Sequence, residues 1–577
     1  MRKYLFFILL IAFGKNTTAQ EKEVIAYLAE KSIPIHTVAP GDNFDDLQPL
    51  GKIWKGKRII GAGEATHGSK EFTEVRHRLF KFLVTEMGFK TLAIEADYAA
   101  VRRVNEYVIY GKGTSLQALE AIGVWIYYTR EWLSLLEWMS AFNAGKADAD
   151  KIRCYGFDMQ SERPALQSIA MQLKQFSPGD YAGKFKALET LEFTGKQLEP
   201  KDRSTINDLL ISVQQYISTH GEKLLDSLGA DGYATLRHDL DIVKQCLSQY
   251  ETSDVYTAVG IRDKSMAANI KWIADQRPGN EGIFVWAHNG HISKDSSLSF
   301  LHWMGSYLKQ YFGDSYYALG LSFNKGGFRA SNYFAVVNFT TGPAEKGSSN
   351  ELFASVGKPI FFVDIPTASR ESKPAENFFQ RRIAARNIGG LYVPGNDVPY
   401  YLQSPLGQYY DGILFIDEVN AAIPARQQFF GALGYMLDGK KYQGKIIRLT
   451  AKAINHHPPD TANLTITKLE ANSQRRKFID ILEPAWKDYE IKDTITATTS
   501  NIMVTIGVTG QGGKICLDSV QLEVYNKNKW EPITASTAAG DLDDQKSGWR
   551  KININAQISI FHDDKNKSHP VICIRND

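Results

Sequence analysis

The sequence predicts an α/β protein: a three-layer α/β/α domain on a parallel-rich sheet with a helical insertion, followed by an all-β sandwich. Three observations carry this. Short apolar runs between residues 58 and 416 end in glycine or polar turns and alternate with stretches of helical period, the βαβ pattern of a covered parallel sheet. Residues 185–276 keep a helical period almost throughout. Beyond residue 440 that period vanishes, and apolar and polar residues alternate between turns.

The elements follow in order. Arg2 and Lys3 precede an apolar run over residues 4–13, and Thr17-Thr18-Ala19 supplies small residues. This reads as a signal peptide, residues 1–19, cut near Ala19. The run is shorter than the about 20 residues that cross a bilayer. No later stretch is apolar for long enough, so the expectation is an exported protein, periplasmic or secreted, with no transmembrane segment in the mature chain.

The α/β domain is expected over residues 30–425. Arg58-Ile59-Ile60-Gly61-Ala62-Gly63 is a strand entering a glycine turn. Ser69 caps the next helix, Phe72, Val75, Leu79, Phe82 and Leu83 line its buried face, and Gly88 ends it. Thr91-Leu92-Ala93-Ile94-Glu95 is the next strand. Residues 152–156 run into Asp158, and Ile283-Phe284-Val285-Trp286-Ala287 runs into His288. Residues 317–322, 360–363 and 413–416 complete the sheet. The sandwich is expected over residues 440–577, with strands at 445–449, 463–466, 489–491, 502–506 and 520–524. Residues 421–444, with Pro424 and several glycines, blur the boundary.

Composition excludes some classes. Sixty-seven Lys and Arg against 64 Asp and Glu leave the chain nearly balanced, with no basic stripe for nucleic acid or a membrane surface. Cys154, Cys246, Cys516 and Cys573 form no C-x-x-C pair. Export permits a Cys516–Cys573 disulfide, and buried free thiols are the alternative.

Three polar clusters follow buried strands in the same sense: Gly63-Glu64-Ala65-Thr66-His67-Gly68, Glu95-Ala96-Asp97 and His288-Asn289-Gly290-His291. In open α/β sheets such ends converge on the ligand site. His67 is the candidate base, and Glu64, three residues earlier, can orient its imidazole. The glycines around His67 are expected to let a ligand approach the backbone. Glu95 after an apolar strand needs a cation, which Arg262 on a helix can supply. His77, His302, His456 and His562 read as packing residues. A zinc site from the same histidines is an alternative, although H-E-x-x-H is absent. G-x-S-x-G, Walker and G-x-G-x-x-G signatures are absent too. A histidine activating water is the simplest chemistry left.

These motifs resemble the erythromycin esterase family. The opening motif with Phe72 and Arg76, Glu95 after its strand, Val104-Asn105-Glu106-Tyr107, Trp125, Tyr155-Gly156-Phe157-Asp158, Ile261-Arg262-Asp263 and Trp286-Ala287-His288-Asn289-Gly290-His291 carry the likeness. Tyr410-Asp411-Gly412-Ile413 closes it. The resemblance implies hydrolysis of a small-molecule carboxylic ester, macrolactones included, with neither metal nor cofactor. Its implied catalytic residues are His67, Glu64, Glu95, Arg262 and His288, with Glu71, Arg76, His291 and Asp158 in a second tier. The final domain resembles a jelly-roll, galactose-binding-like module, which makes carbohydrate a candidate partner. Export and this extra domain depart from the family's resistance enzymes, so the family name does not fix the substrate. A glycan- or lipid-binding protein without catalysis is the reading from another class.

Overall fold

The computed structural model describes every residue except 1–18, 177–178, 194–199, 253, 278, 280, 295–301, 333–335, 396, 427–429, 457–461, 471–473, 510–513, 534–536, 539–548, 555–557, 563–571 and 577. The expected signal peptide, but for Ala19, therefore lies outside the described residues. Contacts divide the chain into two compact units. One comprises the residues up to Ala330 with Asn338–Ala425, the other Ser331–Val337 with Arg426–Asp577.

The first unit is built on β1 (Ile33–Pro34), β2 (Ile59–Ala62), β3 (Thr91–Asp97), β4 (Arg153–Asp158), β5 (Ile283–Trp286), β6 (Tyr316–Ser331), β7 (Val336–Thr341), β8 (Ile360–Asp364) and β11 (Gly412–Val419). A separate hairpin pairs β9 (Arg382–Arg386) with β10 (Tyr401–Pro405). The strand order is β1-β8-β11-β6-β2-β5-β3-β4, with β7 beside β6. From β11 to β4 every neighbouring pair is parallel, and β8 and β1 add antiparallel pairs. Parallel strands are covered on both faces, which is why they read as unbroken apolar runs. Ile60, Leu92, Phe284 and Leu414 face one apolar core, and Ile59, Ala93, Ile283 and Ile413 the other.

Helix α1 (Lys70–Met87) covers the first face with Phe72, Val75, Leu79 and Phe82. Ser69 Oγ caps it by accepting from Phe72 N, and Gly88 ends it at φ 72°, where a side chain on Cα is disfavoured. Helices α2 (Tyr98–Tyr110) and α3 (Arg130–Asn143) flank it. Helices α4 (Arg163–Leu173), α5 (Pro200–Thr219) and α6 (Gly221–Tyr250) form the insertion around their own core of Leu166, Leu210, Val213 and Val243. Helix α7 (Val255–Asp275) covers the second face through Met266, Ile270 and Ile273.

The outer edge of β4 is closed by side chains. Asn105 from α2 donates to Cys154 O at 2.8 Å and accepts from Cys154 N at 2.9 Å. Asn143 from α3 does the same for Ile152, at 2.8 Å in each direction.

The second unit pairs antiparallel strands in two sheets. Its strands are β12 (Phe430–Asp438), β13 (Ile446–Asn455), β14 (Ala462–Glu470), β15 (Gln474–Asp480), β16 (Lys487–Thr494), β17 (Thr499–Thr509), β18 (Lys514–Asn526), β19 (Lys529–Pro532), β20 (Thr537–Ala538), β21 (Arg550–Ile554), β22 (Ile558–His562) and β23 (Ile572–Asn576). One sheet runs β15-β14-β17-β12-β21, the other β16-β13-β18-β23-β22 with β19 and β20 beside β18. Leu464, Ile466 and Val504 of one sheet share a core with Ile447, Leu449 and Leu522 of the other. Strand β13 alternates buried and less buried residues along its length, as its sequence pattern requires.

One reading changes, and one that was open is decided. Residues 421–444 hold β12, an interior strand, and not merely a blurred boundary; Gly431 and Gly434 hide it by imitating turn signals. Cys516 and Cys573 are bonded across directly paired positions of β18 and β23, while Cys154 and Cys246 are buried and outside any disulfide. The side chain of His562 lies outside the described residues.

Candidate active site

Strands β2, β3 and β5 are adjacent and parallel, so their carboxyl ends deliver Glu64 and His67, Glu95, and His288 to one sheet edge. Glu64 is buried and divides its carboxylate. Oε1 accepts from His67 Nδ1 at 2.6 Å, and Oε2 accepts from the Arg76 guanidinium. Burial pushes the Glu64 carboxyl up, but Arg76 and His67 hold it below the usual carboxylate range. An ionised Glu64 fixes the proton of a neutral His67 on Nδ1 and leaves Nε2 as the acceptor.

Arg76, fully buried on α1, also donates Nε–H to Phe72 O at 3.0 Å. Its guanidinium lies 3.9 Å over the Trp286 ring, which packs 4.3 Å from Trp132. Glu64 is thus held by a cation that is itself clamped between helix and sheet.

A second network surrounds Glu95. Arg262 on α7 donates to Glu95 Oε1 at 2.8 Å and makes two bonds to Asp158, at 2.7 and 3.1 Å. His291 Nε2 lies 3.3 Å from Glu95 Oε1, and its Nδ1 lies 2.8 Å from Asp263 Oδ1. Burial opposes a charged His291, but Asp263 and Glu95 raise it to about 10, and Arg262 Nη1 lies 3.2 Å from its Nε2. Burial likewise pushes Glu95 up, and His291 and Arg262 hold it well below the carboxylate range. Arg262 is no surface arginine; Asp158 and Glu95 keep it charged against the cost of burial.

His288 joins the two networks. Its backbone N–H donates to Glu95 Oε2 at 2.9 Å, and its ring lies 5.1 Å from that of His67. His288 Nδ1 accepts from Gly290 N at 3.3 Å, which puts the ring proton on Nε2. That Nε2 is buried and has no hydrogen-bond partner among the described residues. Burial and the neighbouring His67 push the His288 pKa down to about 3, so the ring stays neutral. Among the described residues no group of three or more His, Cys, Asp or Glu side chains is placed to hold a metal ion.

The sheet edge therefore gathers His67, Glu64, Glu95, Arg262, His288, Arg76, His291 and Asp158. Glu71 is different. Its carboxylate accepts from the backbone and side chain of Asn420, tying α1 to the chain after β11. The glycines beside His67 also serve another purpose than ligand approach. A Cβ at Gly63 would lie 2.1 Å from Asn289 Oδ1, and one at Gly68 would lie 2.0 Å from Arg329 O. Neighbouring protein, rather than a ligand, requires these glycines.

Sequence reasoning missed three participants. Asp263 holds His291 and accepts from Met304 N at 2.8 Å. Tyr127 donates to Glu95 O at 2.7 Å. Asn289 brackets Leu321 of β6, donating to its carbonyl at 2.8 Å and accepting from its N–H at 3.1 Å. The signal for Asp263 was its place beside Arg262, one helical turn pointing two ways. A cavity of about 520 Å³ adjoins the networks and shares His288 and His291 with them.

The chain was compared with protein families and solved structures. The family model described as erythromycin esterase matches residues 84–419, more than half of the chain. This chain belongs to the erythromycin esterase family. Erythromycin esterase type II of Escherichia coli is 28% identical over 385 residues, covering 59% of this chain and 89% of that protein. Putative hydrolase YbfO of Bacillus subtilis (strain 168) is 24% identical over 411 residues, covering 66% and 87%. The fold matches a solved erythromycin esterase, EreC in its open conformation, with a TM-score of 0.53 at 15% identity over 68% of this chain and 99% of that one. A solved Bacillus cereus protein gives 0.63 at 24% identity, covering 70% and 99%. Membership in the erythromycin esterase family supports hydrolase activity on esters. The family match begins after Glu64 and His67, so the case for those two residues rests on their geometry.

Proposed function

We propose that this erythromycin esterase family member is an exported carboxylic ester hydrolase in which His67 activates water without a metal. The observation that carries the reading is the chain of contacts Arg76–Glu64–His67, which leaves one imidazole nitrogen as a base beside the unpartnered N–H of His288. Water attacks the ester carbonyl as its proton passes to His67 Nε2. The carbonyl electrons become an oxyanion, and His288 Nε2–H supplies a donor already out of water. Preorganised donors of this kind contribute about 3–4 kcal/mol in acyl transfer. Collapse breaks the bond to the alkoxide, which takes the proton back from His67, giving acid and alcohol. Glu95, Arg262, Asp158 and His291 are positioning residues that fix the His288 loop.

Metal independence is supported at His291, both of whose ring nitrogens are already held, by Asp263 and Glu95. Export is supported by the basic and apolar start of the sequence and by the Cys516–Cys573 disulfide, a bond that persists in oxidising compartments. No helix of the described residues is long and apolar enough to cross a membrane. We assign catalysis to residues 30–425 and an accessory role, with carbohydrate as candidate ligand, to residues 440–577. The test is an ester screen that includes a macrolactone, run on purified wild-type and His67→Ala protein. Wild type should turn over at least one ester, and the variant should lose about 10²–10⁴-fold in kcat. Full turnover by His67→Ala would overturn the mechanism.

A further inference from the structure

We propose that the ester taken by this site carries an anionic group, a carboxylate, sulfate or phosphate, which Arg382 and Arg386 hold in the cavity beside His288. The inference rests on the hydrolase reading above and narrows its substrate class.

The cavity has the size of a small-molecule site. Its walls are largely apolar, with Phe353, Leu406 and Ile413 among them, so charges inside it are poorly screened. Among the described residues two arginines line it, and no aspartate or glutamate does. Both sit on β9, four residues apart, and positions separated by an even number share a face of a strand.

Neither arginine is neutralised. Arg382 is exposed and makes no ion pair among the described residues. Arg386 is 4% exposed. It donates to the carbonyls of Asn324 and Gly342 and lies 5.2 Å and 5.3 Å over the rings of Phe323 and Tyr401. Arg76 pairs with Glu64, Arg78 with Asp46, and Arg262 with Glu95 and Asp158, whereas Arg386, like the buried Arg329, has no ion pair among the described residues. A desolvated cation without a counter-charge is costly, and a bound anion relieves that cost. Guanidinium is also the side chain suited to two-point recognition of carboxylate, sulfate or phosphate. The third cation on the wall, His291, is already matched by Asp263 and Glu95. The uncompensated charge is therefore on β9, and a cationic substrate meets repulsion there.

The test uses three 4-nitrophenyl esters of five-carbon acids: the neutral pentanoate, the anionic hydrogen glutarate and the cationic 5-(trimethylammonio)pentanoate. Wild type should rank them by kcat/KM as anionic, neutral, cationic. Arg382→Gln should cut the glutarate-to-pentanoate ratio by about 10- to 100-fold, the worth of one charge-assisted hydrogen bond. Arg382→Glu should place the cationic ester above the anionic one, and being exposed this position tolerates both changes. Binding of glutarate, measured by calorimetry on His67→Ala protein with and without Arg382→Glu, separates the two claims. Glutarate bound only when Arg382 is present, with no ester hydrolysed, sinks the hydrolase reading and keeps the anion site. Ester hydrolysis with no charge preference, or a preference that survives Arg382→Glu, sinks the anion site and keeps the hydrolase.

Discussion

The backbone N–H of His288 donates to the Glu95 carboxylate at 2.9 Å. These residues end adjacent strands, β5 and β3, so one carboxylate sets the height at which the His288 ring leaves the sheet. The same carboxylate also holds Arg262 and His291. The placement of His288 beside His67 thus depends on charges that never need to meet a substrate.

Glu64→Gln tests whether Glu64 acts through the base. An amide in its place can accept from His67 but no longer stabilises the imidazolium formed when water is deprotonated. The expected outcome is a fall in kcat with KM near the wild-type value, measured by steady-state kinetics on an ester turned over in the screen. A raised KM with unchanged kcat would instead make Glu64 a substrate-binding residue.

His291 should make stability fall with alkali. Its pKa is raised from 6.5 to about 10, so the folded state binds the proton more tightly than the unfolded chain. That contribution is fully present below pH 6.5 and is lost as pH rises through about 10. Urea unfolding of wild type and His291→Gln at intervals across this window should show the gap between them shrinking with pH. A constant gap would mean that His291 is not charged in the folded protein.

Gly68→Ala should be destabilising despite its small size. The added methyl meets the backbone carbonyl of Arg329, which cannot swing aside as a side chain can. Overpacking costs typically about 1–3 kcal/mol, and the loop that carries His67 absorbs the displacement. Denaturant melts and kcat should both fall; unchanged values for both would show that the loop relaxes freely.

Chelation separates a histidine base from a metal-bound water. Prolonged treatment with a strong chelator should leave esterase activity intact, and elemental analysis should find no stoichiometric zinc. Activity that disappears and returns with added zinc would reassign the histidines as ligands.

Much of the site was legible because parallel strands buried on both faces announce themselves as apolar runs, and the polar residue that ends each run has few places to go. Glu64, His67, Glu95 and His288 could be gathered from that alone. Arg262 required a helix from far along the chain, and only its motif pointed there. Glu71 was implied by the resemblance alone, and its side chain turns toward Asn420. The glycines near His67 were misread because a sequence does not say which backbone passes close by. Strand β12 was hidden by its glycines, and β9, reading Arg382-Ile383-Ala384-Ala385-Arg386, by weak alternation. These two strands owe their shape to partners more than to their own pattern.

Asn105 and Asn143 give the sheet an ending. A lateral strand offers free N–H and C=O groups that a second polypeptide can zip onto, and such strand addition seeds aggregation. At Cys154 and Ile152 those groups are already taken by carboxamides, which imitate the peptide unit of a further strand without continuing into one. The β4 border is thereby closed to foreign chains at these two positions. Two side chains outside the candidate site thus safeguard this edge of the sheet against aggregation.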